Sequence, residues 1–320
     1  PAAAPSPAAP ARAASALPAP GPAAAPAPAP AAPPAPSKKA VSPRARRLAR
    51  ECGIRTAPIA GSGPGGRVID GPAAGMDLFP TWMAAHAIPN EYANDPQGYT
   101  DLIVHEMLTK LHFWWQENAS QQPLPFVDVF CEVGAFSLTQ SRQILQKAKA
   151  LGFPLKIHAD EFENLGGASL AAELGAASAD HLVKTSDEDI RALAKSDTVA
   201  VALPATPFGL GQCEYTPAQK IIAANGLLAI ASDLNPGTAW CENMQFVIAL
   251  SCRYLKLTVA QAIAAATINA AAAVNRQDLV GSLEPGKQAD ILLLAVDDYR
   301  QLGYKFGSNL VHKVMKRGQW

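Results

Sequence analysis

Between Met76 and Asn275, short apolar runs alternate with longer stretches whose apolar residues recur at helical spacing. The runs Leu78–Ala85, Phe126–Phe130, Leu155–His158, His181–Lys184, Thr198–Leu203 and Leu227–Ser232 predict strands. Gly98–Trp115, Leu138–Leu151, Gly167–Leu174, Glu188–Lys195, Thr216–Ala224, Met244–Leu255 and Val259–Asn275 predict helices. Strands separated regularly by helices predict an α/β body with a parallel sheet, open or closed. After residue 275 the rhythm changes. Val280–Ala295 reads as two extended runs around a Pro285-Gly286 turn, and Val311–Lys316 as another strand. The pattern therefore predicts a body over 76–275 and a small β subdomain over 276–320.

The first seventy residues follow neither period. Residues 1–36 hold 18 Ala and 13 Pro, with Arg12 the only charge. Proline at that density removes amide donors and fixes φ, so 1–37 is expected to be a disordered linker. Over 38–70 the character changes. Ser42 suits an N-cap, Pro43 a first helical position and Gly53 a C-terminal stop, with Ala45, Leu48 and Ala49 as an apolar stripe beside arginines. The loop Gly61-Ser-Gly-Pro-Gly-Gly66 follows no strand and opens no helix, so a phosphate-binding reading of it is weak.

Charge separates the two parts. Residues 1–70 carry nine Lys/Arg against Glu51 and Asp70, and the remainder carries 18 Lys/Arg against 25 Asp/Glu. A basic arm thus precedes an acidic body, although the formal net charge is zero. No run of about 18 uncharged apolar residues occurs, so no membrane span is expected. The five cysteines form no CxxC pair, which points to reduced thiols and a cytoplasmic setting. Nucleic acid is not an expected partner, a small molecule is, and a homodimer is left open.

The candidate chemistry gathers where strands end. Lys156-Ile-His-Ala-Asp-Glu-Phe162 closes an apolar run with His158 and places Asp160 and Glu161 behind it. A second strand end, Ala229-Ile-Ala-Ser-Asp-Leu-Asn-Pro-Gly-Thr238, offers Asp233. His86, Glu132 and His181 lie at further strand ends or starts. A neutral imidazole and a carboxylate at such ends can hold a metal or move protons.

Thr81-Trp-Met-Ala-Ala-His-Ala-Ile-Pro89, Phe126-Val-Asp-Val-Phe-Cys-Glu132, the His158-Ala-Asp-Glu-Phe162 segment, Ser232-Asp-Leu-Asn-Pro-Gly-Thr238 and Gly281-Ser-Leu-Glu-Pro-Gly-Lys-Gln-Ala-Asp290 together resemble the amidohydrolase superfamily, and within it the imidazolonepropionases of histidine degradation. The resemblance runs from about Asp77 to Gly318. It implies an incomplete TIM-like (β/α)8 barrel whose first strands are missing, with a small C-terminal β subdomain. It implies one divalent ion, Zn or Fe, held by His158 and Asp233. It gives His181 the developing oxyanion, Glu161 the water or substrate, Asp233 the proton, and His86 a substrate contact. Asn235, Gly237 and Thr238 match the loop that receives the substrate carboxylate. The implied reaction opens the ring of 4-imidazolone-5-propanoate to N-formimino-glutamate. The chain departs from the family in one respect: its six histidines (86, 105, 112, 158, 181 and 312) include no His-x-His, the pair that supplies two metal ligands. That puts catalytic competence in question.

Separately, the helix, loop and arginines of 38–67 resemble the peripheral-subunit-binding domain of 2-oxo-acid dehydrogenase acyltransferases, whose partner is dihydrolipoamide dehydrogenase. That module is truncated here, because Val68-Ile-Asp70 runs into Gly71-Pro-Ala-Ala-Gly75 instead of a second helix. The junction has the pattern of a joined or mis-assembled reading frame. The alternatives are another amidohydrolase, such as a deaminase, or a non-catalytic module tethered to a dehydrogenase complex.

Overall fold

A computed structural model describes residues 76–320, so the expected linker and basic module at 1–70 lie outside the described residues. The elements run β1 (Thr81–Ala85), α1 (Pro96–Leu102), a π-helical turn (Ile103–Met107), α2 (Leu108–Asn118), β2 (Phe126–Cys131), α3 (Leu138–Ala150), β3 (Leu155–Ala159), α4 (Gly167–Leu174) and β4 (Ser178–His181). They continue with α5 (Asp187–Leu193), β5 (Val199–Ala202), α6 (Ala205–Gly209), α7 (Ala218–Ala223), β6 (Leu228–Ile230), α8 (Met244–Tyr254), α9 (Val259–Ala266) and α10 (Ile268–Ala272). The chain ends with β7 (Ile291–Leu294), α11 (Gln301–Tyr304) and β8 (Val311–Met315).

Strands β1 to β6 form one sheet in the order of the chain, and every pairing is parallel. A doubly wound sheet reverses its strand order at a switch point, whereas consecutive order throughout is the mark of a barrel wall. Among the described residues, six strands of such a wall are present, and β1 and β6 each pair on one side only. The small antiparallel pair β7–β8 stands apart from this sheet.

Strand β3 shows how the wall is built. Leu155, Ile157 and Ala159 are buried, while Lys156 and His158 between them are half-buried. Alternation along a strand sends these two sets to opposite faces. The buried set meets the helices, since a Cβ added at Gly167, the first residue of α4, would stand 2.7 Å from the Ala159 Cβ. The other set faces the concave side, where the chemistry lies.

Local signals set the helix starts. Reciprocal capping boxes begin α3 (Ser137 with Gln140), α5 (Ser186 with Asp189) and α9 (Thr258 with Gln261). Gly166 and Gly175 flank α4 at φ 83° and 68°, a region costly for residues with a Cβ. Of the two extended runs expected around Pro285-Gly286, only the second forms a strand, β7, and two other expectations shift. The run Val259–Asn275 is two helices, because Thr267 leaves helical geometry at φ −123°, ψ −92°. Asn269 beyond the break donates to the carbonyl of Leu228 on β6 (2.7 Å), which fixes α10 against the sheet. Strand β4 lies three residues earlier than its apolar run, over small and polar residues that are all buried. His181 therefore ends a strand instead of starting one.

The two ends of the described body meet. Lys316 Nζ lies 2.9 Å from Asp77 Oδ2 and also pairs with Asp290, and Arg317 pairs with the same Asp77 carboxylate. A cavity of about 860 Å³ opens beside them, lined by Phe79, Trp115, Phe126, Arg276 and Arg317 among others. It lies at the N-terminal ends of the strands, away from the catalytic candidates.

Gly167→Ala tests the helix-to-sheet contact. It should destabilise the fold by about 1–3 kcal/mol through overpacking, read as a lower denaturant midpoint with an unchanged slope.

Candidate active site

The C-terminal ends of β1 to β4 and β6 carry the site. Strand register brings His158 on β3 opposite Phe130 on β2 and Asp180 on β4. His86 follows the last residue of β1, and its ring meets that of His158 edge-on with centroids 4.6 Å apart. The ring of His181 lies 5.1 Å from that of His158 on the other side. Three of the six histidines thus sit in one row, and Glu161 places Oε2 3.6 Å from His181 Nε2.

Under this row lies Asp128, buried in the middle of β2. Its Oδ2 is 2.8 Å from His158 Nδ1 and 3.4 Å from His86 Nε2. These are close charge contacts and not aligned hydrogen bonds. Both ring nitrogens, and Asp128 Oδ1, are buried without an aligned partner. Burial pushes the Asp128 carboxyl up, but the charges of His158 and His86 outweigh this and hold it below the usual range. Burial likewise pushes His158 down, and Asp128, with Asp180 and Asp233 behind it, overrides this and lifts it to about 9. In His181 burial, with the charge of His158 added, outweighs the opposing charges of Asp180 and Asp128 and drops it to about 3. Glu161 moves the other way, raised to about 7 by burial with the charge of Asp233 adding to it.

The turns that hold these groups are internally bonded. Glu132, buried at the end of β2, accepts the amides of Phe162 (3.0 Å) and Glu163 (3.2 Å) and so fixes the loop that carries Glu161. Thr206 on α6 donates its hydroxyl to Asp233 Oδ2 at 2.6 Å. Asp160, His181, Leu182 and Asp233 adopt φ of 55°, 76°, 59° and 50°, left-handed conformations that L-residues enter at a cost and that gather at functional rims.

The structure brings together His86, His158, Glu161 and His181. It places Asp233 close enough for its charge to act on His158 and Glu161, though not in ion-pair contact with either. Asn235 behaves differently from its expected part in anion binding. Its Oδ1 already accepts the amides of Gly237 (2.9 Å) and Thr238 (2.8 Å), and its Nδ2 donates to the Asp233 carbonyl. An anion bound there would have to replace these internal bonds. Asp128, Thr206 and the clamping role of Glu132 were not read from the sequence. For Asp128 the signal was present: a carboxylate on the run Phe126-Val-Asp-Val-Phe130 is a charge in a strand interior, which needs a partner.

Imidazole with carboxylate is a donor combination that zinc and iron accept, and among the described residues His86, Asp128 and His158 each offer one such atom, all within 4.8 Å of one another. Of the expected pair His158 and Asp233, only His158 belongs to this cluster, which makes it the donor common to both sets.

Comparison with known proteins agrees with this geometry. The amidohydrolase family matches residues 132–320, and the e3 binding domain matches residues 40–71. The chain is 55% identical over 244 residues to an imidazolonepropionase of Herpetosiphon aurantiacus, covering 76% of this chain and 57% of that protein. An imidazolonepropionase of Streptococcus gordonii is 46% identical over 244 residues and 76% of each chain is covered. The chain spans little more than half the length of curated relatives such as the first. Among solved structures, an adenosine deaminase from Xanthomonas campestris with bound zinc superposes with a TM-score of 0.56 at 19% identity. It covers 77% of this chain and 60% of that one, and at such identity the likeness is one of fold.

Two opposed titrations follow for the metal-free chain. His181 contributes stability that is full above about pH 6.5 and is lost as pH falls towards about 3, because the unfolded chain takes up a proton that the folded one refuses. Glu161 contributes stability that is full below about pH 4.5 and is lost as pH rises through about 7. Denaturant midpoints measured against pH should lose the first slope in His181→Asn and the second in Glu161→Gln.

Proposed function

Because the chain belongs to the amidohydrolase family and groups within it with the imidazolonepropionases, we propose that its body is built for hydrolytic opening of the ring of 4-imidazolone-5-propanoate to N-formimino-glutamate. The observation that carries this is the convergence of His158, His181 and Glu161 on one sheet end, with Asp233 oriented beside them by Thr206.

His158 and Asp233 are the residues that would hold the divalent ion, zinc or iron. When bound, the ion supplies Lewis acidity and a nucleophile from water near neutral pH. The remaining work falls to the chain. Asp233 receives the proton of the attacking water, and the hydroxyl of Thr206 fixes the carboxylate through Oδ2, which leaves Oδ1 for that proton. His181 is neutral at working pH, so it can donate one N–H to the ring carbonyl oxygen as charge develops there. Glu161, raised to about 7, exchanges a proton near neutrality and can orient water or the substrate ring. His86 meets the substrate beside His158, and a carboxylate arm reaching the turn Asn235-Pro-Gly-Thr238 would exchange the internal bonds of Asn235 for its own. Reduced thiols at Cys131, Cys213, Cys241 and Cys252 fit a cytoplasmic setting.

Purified full chain, loaded with zinc or iron, is expected to retain about one equivalent by plasma mass spectrometry and to consume the imidazolone. Asp233→Asn should lower turnover about 10²- to 10⁴-fold. Retention below about a tenth of an equivalent, or unchanged turnover in that variant, would count against the reading.

The match over residues 40–71 supports a second role beside the first. The arginine-rich stretch at 38–67 would dock the chain on dihydrolipoamide dehydrogenase. A pull-down with that enzyme should retain the full chain, and absence of binding at about micromolar concentration would remove this role.

A further inference from the structure

Asp128 has no part in the reaction as derived, yet it is a carboxylate buried in the wall of the described body. It is 1% exposed and set in the interior of β2, where an unpaired charge costs several kcal/mol. Two imidazoles, one from β1's end and one from β3, turn buried nitrogens towards its Oδ2 and find no other acceptor. A residue that merely filled the wall would be apolar, as Phe126 and Phe130 on the same face of β2 are.

Two roles could justify the burial. Asp128 could itself bind the metal, or it could hold the histidine that does. The distance decides. Two donors at 2.0–2.1 Å from one tetrahedral ion stand about 3.3 Å apart. Asp128 Oδ2 and His158 Nδ1 are 2.8 Å apart, the separation of a charged N–H···O contact. An imidazole that presents Nδ1 to a carboxylate keeps Nε2 for a metal, and its tautomer and plane are then fixed.

We propose that Asp128 is the positioning carboxylate of this site: it holds His158 in the Nδ1–H form with Nε2 free, and through the same oxygen aligns His86 beside it. The proposal rests on the reading of His158 as a metal ligand and adds the residue that orients it. It also explains why β2 carries its charge two positions short of the rim: from Asp128, register reaches the β3 residue Lys156, and His158 stands one pleat above. Asp180, opposite His158 on β4, is 3.9 Å from the same Nδ1, too far to compete.

The test uses the full chain and two readouts. In metal-free protein, at an alkaline pH where the spectrum itself shows the imidazole to be neutral, two-bond ¹H–¹⁵N spectra report which imidazole nitrogen holds the proton. His158 should be Nδ1–H in the parent chain, should remain so in Asp128→Asn, whose Oδ1 accepts the same N–H, and should lose that preference in Asp128→Ala. An Nε2–H form in the parent, or no change in Asp128→Ala, would overturn the proposal. In the second readout, zinc affinity is measured by competition with a chelator. Asp128→Ala should bind about 10- to 100-fold more weakly, with Asp128→Asn in between. Loss as complete as in His158→Ala would instead make Asp128 a ligand and overturn the positioning role. If the parent chain takes up no zinc but shows the expected tautomers, the proposed hydrolase activity fails while the role of Asp128 stands.

Discussion

Parallel pairing in chain order is the constraint from which the rest follows. Each crossover returns the chain to the same edge, so every strand ends at the same rim. His86, Glu132, the Glu161 loop, His181 and Asp233 then become neighbours, although they are spread over nearly 150 residues of sequence. The pairing of β2 with β3 matters most, because the register Phe130 to His158 stacks the histidine row directly over Asp128. A slip of one residue in either strand would turn its own member of the pair, Asp128 or His158, into the helix layer.

Much of this wall was legible in the sequence, and the reason is local. Strands such as Phe126–Cys131 and Leu155–Ala159 are apolar runs between turn residues, and α3, α5 and α9 announce their starts with paired capping residues. Strand β4 was misplaced because Ser178-Ala-Asp-His181 is neither apolar nor β-branched. It is a strand only because two neighbouring strands bury it. The break at Thr267 was hidden for a similar reason, since Ala-rich sequence on both sides favours helix and only the tie from Asn269 to β6 shows where one helix ends.

The site divides along the same line. Residues with a conspicuous neighbourhood, such as His158 beside two carboxylates, could be read directly. Residues whose meaning lies in a partner far along the chain could not. Thr206 meets Asp233 across 27 positions, and Glu132 meets the backbone of Phe162 and Glu163 across about 30. The left-handed residues at the rim belong to this second group. Nothing local asks Asp160, His181 or Asp233 for a positive φ. The bonds that hold them there, such as Lys184 N to Asp160 O at 2.7 Å, come from the assembled fold.

The ion pairs between Asp77 and the Lys316–Arg317 turn have a topological meaning. They clasp the beginning of the described body to its end, so the polypeptide path is nearly a ring. Entry and exit share one address, beside the cavity at the N-terminal ends of the strands and on the rim opposite the histidines. The described body therefore begins and ends at its back, with the reactive mouth on the opposite rim.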